Sequence, residues 1–181
     1  MEVGVRQFLI GLFKKVVIAD RMAMFADPVF QDPRQFGSPA VWLAVIAYTV
    51  QIYCDFSGYT DMALGCANLL GYRLAENFNM PYSAQNVSEF WRRWHMSLST
   101  WLRDYLFIPL GGSRTTPLKT DRNLMITMVL GGLWHGANWT FVLWGAFHGI
   151  LLVIHRRCRG LSQRTPRLAG SRGPGRSAAY A

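Results

Sequence analysis

Charged side chains are scarce in this sequence. Asp, Glu, Lys and Arg make up 16% of its 181 residues, against about 25% in soluble domains. From Asn123 to His155 there is none, a run of 33 residues, where a bilayer span needs roughly 20. A second uncharged run covers residues 35–54. Such runs exclude an ordinary soluble domain and predict an integral membrane protein. The 51% hydrophobic content and the seven Trp, the latter suited to interfacial aromatic belts, agree with that reading.

Other absences narrow the chemistry. Cys54, Cys66 and Cys158 are the three cysteines. They show no CxxC or metal spacing, and their odd number gives no disulfide framework. No Ser nucleophile elbow is present, so a covalent enzyme intermediate has no support. Gly111-Gly112 and Gly131-Gly132 lack the strand–loop–helix context of a phosphate loop. No internal repeat is found. The N-terminus has no signal-peptide layout, because Lys14 and Lys15 interrupt the first apolar stretch. The chain therefore reads as starting inside a longer protein.

The net charge of +9 is unevenly placed. Residues 1–155 hold twelve Lys/Arg against ten Asp/Glu, and residues 156–181 hold seven Arg and no acid. A basic flank after the last apolar run reads as a cytoplasmic positive-inside signal. It does not read as a nucleic-acid surface, and no nucleic-acid partner is expected.

Hydrophobic spacing predicts helices throughout. Residues 3–26 form an amphipathic helix, either interfacial or flanking a short span with snorkelling lysines. Asp27-Pro28 and Asp32-Pro33 mark a loop to about Ser38. Pro39 starts a helix that runs to about Gly71. It carries Asp55 and Asp61, which can orient a polar substrate or a histidine or, the favoured reading, bind Arg side chains as a structural pair. Residues 77–85 form a loop. Asn86 or Ser88 caps one charged helix holding Trp91, Trp94, Trp101 and Asp104, too charged for lipid and therefore interfacial or re-entrant. Asp121 caps the next helix. The 33-residue run is split at Gly136-Ala137-Asn138 into helices 122–135 and 138–156, leaving His135 at a break. The expected fold is all-α: polytopic membrane helices with a re-entrant or interfacial motif helix. Residues 1–158 form the membrane core, and 159–181 a basic, Gly/Pro-rich disordered tail.

Ionisable groups at membrane depth are functional candidates by default. His135 in Trp134-His135-Gly136-Ala137-Asn138-Trp139 can serve as a general base, or simply bond a neighbouring carbonyl. His95 in Trp91-Arg92-Arg93-Trp94-His95-Met96-Ser97 can orient a carbonyl, stabilise developing negative charge or tune the first histidine, or be an interfacial residue. No third ligand accompanies the two, so no metal is expected. His148 reads as a packing residue and His155 as solvated. Arg92, Arg93 and Arg103 can hold a donor's phosphates or contact lipid phosphates and helix ends.

Three motifs together resemble the membrane-bound O-acyltransferase family: Asp55-Phe56-Ser57-Gly58-Tyr59-Thr60-Asp61, Phe90 through Tyr105, and Gly131 through Trp139. The similarity covers roughly residues 4–156 and is nearest to the alginate O-acetyltransferase type. Near relatives of that type are the teichoic acid D-alanine transfer proteins. The resemblance implies a polytopic enzyme of the bacterial inner membrane, in which acyl donor and acceptor meet in a tunnel or funnel. His135 would be the active-site histidine and His95 the assisting one. Trp91, Trp94, Trp134, Asn138 and Trp139 are expected to shape the substrate site by their neighbourhood to these histidines alone. No bound cofactor is implied; an acyl thioester such as acetyl-CoA would be a co-substrate. Implied partners are membrane lipid, periplasmic acetyl-transfer proteins and a polysaccharide acceptor such as alginate. D-alanyl or other acyl transfer to an envelope polymer, or a non-catalytic transport or scaffold module, are the alternatives. Family members are longer and the tail after about Arg159 does not resemble them, so this stretch alone is not expected to be active.

Overall fold

The computed structural model describes residues 1–164, with side chains to Gly160. Seven α-helices carry the described chain: α1 (Glu2–Phe13), α2 (Asp20–Gln31), α3 (Ser38–Leu69), α4 (Val87–Arg93), α5 (Met96–Leu102), α6 (Pro117–His135) and α7 (Trp139–Arg164). There is no β-strand among the described residues, only an isolated bridge between Phe78 and Trp94. The all-α expectation is met. α7 continues six residues beyond Cys158; the rest of the 159–181 tail lies outside the described residues.

The chain forms two compact units. The first comprises residues 1–85 and 89–101, and the second residues 86–88 and those from Leu102 onward.

In the first unit α1 and α2 are joined by a π-helical turn, Lys14–Ala19, into one run from Glu2 to Gln31. The expected break at Asp27-Pro28 is absent, and Pro28 sits inside α2. Pro28 lacks the N–H that would reach the Met24 carbonyl, so one helix bond is missing, yet the helix continues for a last turn and the Pro28 carbonyl accepts from Asp32 N at 3.4 Å. The chain then turns over residues 32–37. α3 follows, with Pro39 in its first turn as expected, and ends before Gly71 (φ +84°).

Backbone contact holds α1 to α3. The residues of α1 that are buried are Gly4 and Gly11. A Cβ on Gly11 would lie 2.5 Å from Gly58 O, and one on Gly65 would lie 2.7 Å from Gly4 O. Side chains cannot enter that seam. The two glycines of each helix are seven residues apart, two turns, so they share a face. This is how helices associate where lipid removes the hydrophobic drive between them.

The seam lines up charges beyond it. Lys14 Nζ donates to Asp61 Oδ2 at 2.6 Å, and Lys15 pairs with Asp55 and, at 3.3 Å, with Asp20. The expectation that Asp55 and Asp61 bind arginines is corrected: their partners are lysines. The π turn delivers them, placing two adjacent lysines beside carboxylates six residues apart on α3.

The second unit is a hairpin of α6 and α7. α6 begins at Pro117, not Asp121, with Thr116 Oγ1 accepting from Lys119 N at 3.5 Å. Pro is preorganised for the first helical position, so the start moves one turn upstream. Asp121 instead ties the open end of the hairpin, accepting from Arg156 Nη1 at 2.6 Å and Arg157 Nε at 2.7 Å. A second seam runs between the helices: a Cβ on Gly132 would collide with Phe141 O, and one on Gly145 with Met128 O. Asn123 is fully buried, and its Nδ2 donates to Leu110 O at 2.9 Å, fastening the preceding loop to α6.

Two stability outcomes follow for the full-length protein. Gly58→Leu should lower thermal stability in detergent by about 1–3 kcal/mol through overpacking; a variant as stable as wild type would contradict the seam. Lys14→Met should destabilise more than the double variant Lys14→Met/Asp61→Leu, because the single change strands a partly buried carboxylate. The reverse order in thermal unfolding would show that Asp61 does not depend on Lys14.

Candidate functional site

His95 lies in the first unit, at a break in the motif segment. The single charged helix expected there is two: α4 stops at Arg93 and α5 starts at Met96. Between them His95 has φ +45°, in the left-handed region. For a residue other than glycine this costs on the order of 1–3 kcal/mol and persists only where the surroundings enforce it. Here the loop after α3 does so. Asn77 O accepts from Met96 N at 3.0 Å, and Asn79 N donates to Arg93 O at 3.0 Å. Asn77 Oδ1 accepts from Ser97 N at 3.2 Å and Ser97 Oγ at 2.6 Å, and lies 3.3 Å from His95 Nδ1. Neither glycine nor proline marks this break in the sequence, and Asn77 lies eighteen residues away.

Aromatic rings wall the same place. The His95 ring meets the edge of Phe56 at 4.7 Å between centroids. Trp94 packs against Phe78 (5.0 Å), Phe90 (5.6 Å) and Tyr82 (6.2 Å). Trp91 meets Phe90 edge-on at 5.5 Å. Tyr82 donates its hydroxyl to Thr49 O at 2.7 Å, and burial, with Cys54 and Tyr53 adding to it, pushes its phenol up to about 12. It is thus a fixed neutral donor. Trp91 and Trp94, expected to shape a substrate site, stand in this ring cluster. Tyr53, Phe56 and Phe78 complete it and had not been singled out.

Arg93 and Arg103 are engaged with acids. Arg93 Nη2 donates to Glu89 Oε1 at 2.6 Å and its Nη1 to Ser83 Oγ at 3.0 Å. Glu89 also accepts from Gln85 N at 3.0 Å; that bond first, then Arg93, holds its carboxyl below the usual carboxylate range. The pairing therefore persists above that lowered value and is lost as pH falls through it. Arg103 Nε bonds Asp104 at 2.8 Å.

His135 lies in the second unit and is the last residue of α6. The expected break at Gly136-Ala137-Asn138 is present. Its ring is framed by Trp134 (5.1 Å, edge-on), Trp144 (5.3 Å, edge-on) and Phe141 (6.0 Å, stacked). The side chain is exposed, as are Trp134 (60%) and Trp139 (79%). A base in this setting is reachable by a hydroxyl. Asn138 was expected to contact substrate. Its Oδ1 accepts from Thr140 N at 3.0 Å and Thr140 Oγ1 at 3.1 Å, so it caps α7.

His148 packs against Trp144 at 4.7 Å. His155 lines a cavity of about 750 Å³ with Phe107, Thr120, Leu152, Arg156 and Arg159, at the Asp121 end of the hairpin. Fourteen residues of helix, roughly 21 Å, separate Asp121 from His135. Among the described residues no group of His, Cys, Asp and Glu could hold a metal ion.

The chain matches the membrane-bound O-acyltransferase family over residues 1–172, and it belongs to that family. It is 57% identical over 158 residues to the probable alginate O-acetylase of Azotobacter vinelandii, covering 86% of this chain and 31% of the relative. It is 50% identical over 156 residues to the peptidoglycan O-acetyltransferase of Helicobacter pylori, covering 86% and 30%. The teichoic acid D-alanyltransferase of Bacillus subtilis is 35% identical over 163 residues, covering 84% and 40%. The chain thus spans under a third of the length of the first two relatives and two fifths of the third.

The capping role of Asn138 can be separated from a substrate role. In the full-length protein Asn138→Ala should lose about 1 kcal/mol of stability, while Asn138→Ser and Asn138→Asp keep it. Unfolding in detergent reads this directly; equal stabilities for all three would remove the cap.

Proposed function

We propose that this chain is the central part of a membrane O-acyltransferase that moves an acetyl group from a thioester to an acceptor hydroxyl, on its way toward the hydroxyls of an exported polysaccharide. The observation that carries it is His135, held at the open turn between α6 and α7 inside three aromatic rings, in a chain 50–57% identical to proteins named as O-acetylases or O-acetyltransferases. An alginate-like polymer is the favoured acceptor, on the strength of the 57% relative.

His135 takes the proton of the attacking hydroxyl. The hydroxyl oxygen bonds to the thioester carbonyl carbon, the C–S bond breaks, and the departing thiolate takes up the proton. No covalent acyl-enzyme is needed. His95 assists from its own turn. Trp91, Trp94, Trp134 and Trp139 shape the surroundings, and Asn138 holds the turn's geometry. An acetyl thioester such as acetyl-CoA is consumed as co-substrate, not held as a cofactor. Periplasmic partner proteins carry the acetyl group onward to the polymer.

The setting is a bacterial inner membrane, crossed several times. Ser38–Leu69 and Trp139–Gly160 are long and apolar enough to cross a membrane. The arginines at the end of α7 read as a positive-inside flank, which supports a cytoplasmic position for that end. α4 and α5, with Arg92, Arg93 and Arg103, form the re-entrant or interfacial segment.

His135→Ala in the full-length protein should reduce O-acetylation of exported polysaccharide by about 10²–10⁴-fold, with membrane levels near wild type. Near-full acetylation by a well-expressed variant would overturn the assignment and favour a non-catalytic membrane module.

A further inference from the structure

The contacts of Asn77 determine a proton position on His95. A carboxamide presents an oxygen that only accepts and a nitrogen that only donates. Which of the two faces α5 is decided by Ser97, whose backbone N–H can only donate. It lies 3.2 Å from the Asn77 side-chain atom, and Ser97 Oγ lies 2.6 Å from the same atom. That atom is therefore the oxygen; the flipped amide would set N–H against N–H. The same oxygen lies 3.3 Å from His95 Nδ1. A hydrogen bond there requires the proton on Nδ1.

We infer that Asn77 is the positioning residue for His95, holding its neutral ring as the Nδ1–H form with Nε2 as the basic nitrogen. The neutral imidazole of free histidine favours the opposite form, with the proton on Nε2, so the site works against an intrinsic preference. Two features make this hold firm. The ring rests edge-on against Phe56 at 4.7 Å. The backbone is pinned at φ +45° by Asn77 O accepting from Met96 N and by Asn79 N donating to Arg93 O. One short loop thus fixes the place, the orientation and the protonation of a single imidazole.

The chemical consequence sharpens the role given to His95. A neutral ring whose Nε2 carries a lone pair accepts hydrogen bonds there and cannot donate from that atom. His95 then serves a hydroxyl or another N–H; it does not stabilise a carbonyl oxygen through Nε2. This role in transfer rests on the function proposed above, whereas the proton position does not.

The test uses the full-length protein with ¹⁵N-labelled histidine, measured by NMR of the ring nitrogens above the imidazole pKa. The His95→Asn spectrum assigns the signal. Wild type should show Nδ1 protonated and Nε2 unprotonated. Asn77→Asp, which keeps the accepting oxygen, should keep Nδ1 protonated. Asn77→Leu, of similar size but with no acceptor, should move the proton to Nε2. It should also lower kcat on the order of 10²-fold through misplacement, with KM little changed. A wild-type Nε2–H ring overturns the inference, as does an Asn77→Leu ring that keeps Nδ1–H. If Asn77→Leu does not fold, wild type and Asn77→Asp still decide. A switched proton with unchanged kcat overturns the part given to His95 in transfer and leaves its proton position standing.

Discussion

Close backbone contact between helices is the constraint on which the rest depends. Gly4 and Gly11 of α1 meet Gly65 and Gly58 of α3 with no side chain between them, and Gly132 and Gly145 do the same for α6 and α7. In lipid, where apolar side chains gain little by leaving one apolar medium for another, such contact is what draws helices together. Each seam ends in charge. Lys14 and Lys15 reach Asp61 and Asp55 beyond the first, and Arg156 and Arg157 reach Asp121 beyond the second. Lys14, Asp61 and Asp121 are partly buried and depend on their partners, so the fit of the glycines and the matching of these charges support each other.

Both candidate histidines stand where helices stop. His135 ends α6, and His95 separates α4 from α5 in a left-handed conformation. A residue in mid-helix is oriented by the turns above and below it, whereas a residue at a break takes its direction from what packs on the break, as His95 does from Asn77 and Phe56. The two breaks are made differently. Gly136 and the Asn138 cap make the first locally, within four residues. The second is imposed from Asn77, through bonds that any other loop sequence would have to reproduce.

That difference explains what the sequence made legible. The helical class, the helix start around Pro39 and the split after His135 follow from local signals: an uncharged run, a proline, a glycine two residues before an asparagine. Long-range pairings were not legible. The partners of Asp55 and Asp61 lie 40 and 47 residues away, and Asp121 finds Arg156 and Arg157 across a hairpin. Asp121 looked like a cap because acids often are, but Pro117 behind Thr116 was the better start signal. Pro28 misled in the opposite sense. The helix runs on to Gln31 through Pro28, whose missing N–H removes one bond without ending it. Asn77 has no local signature at all, since its importance lies wholly in what packs against it.

The π turn at Lys14–Ala19 makes chain length itself a structural variable. A π turn holds one residue more than the α turn it replaces. Losing that one residue would let the segment close into ordinary α-helix with α1 and α2 keeping their relative faces, because the residue removed is the extra one. The same loss elsewhere between Glu2 and Gln31 would rotate everything after it by about 100° about the axis. Within this helical run the turn is a slack link, where the backbone can shorten by one residue without turning one helix against the other.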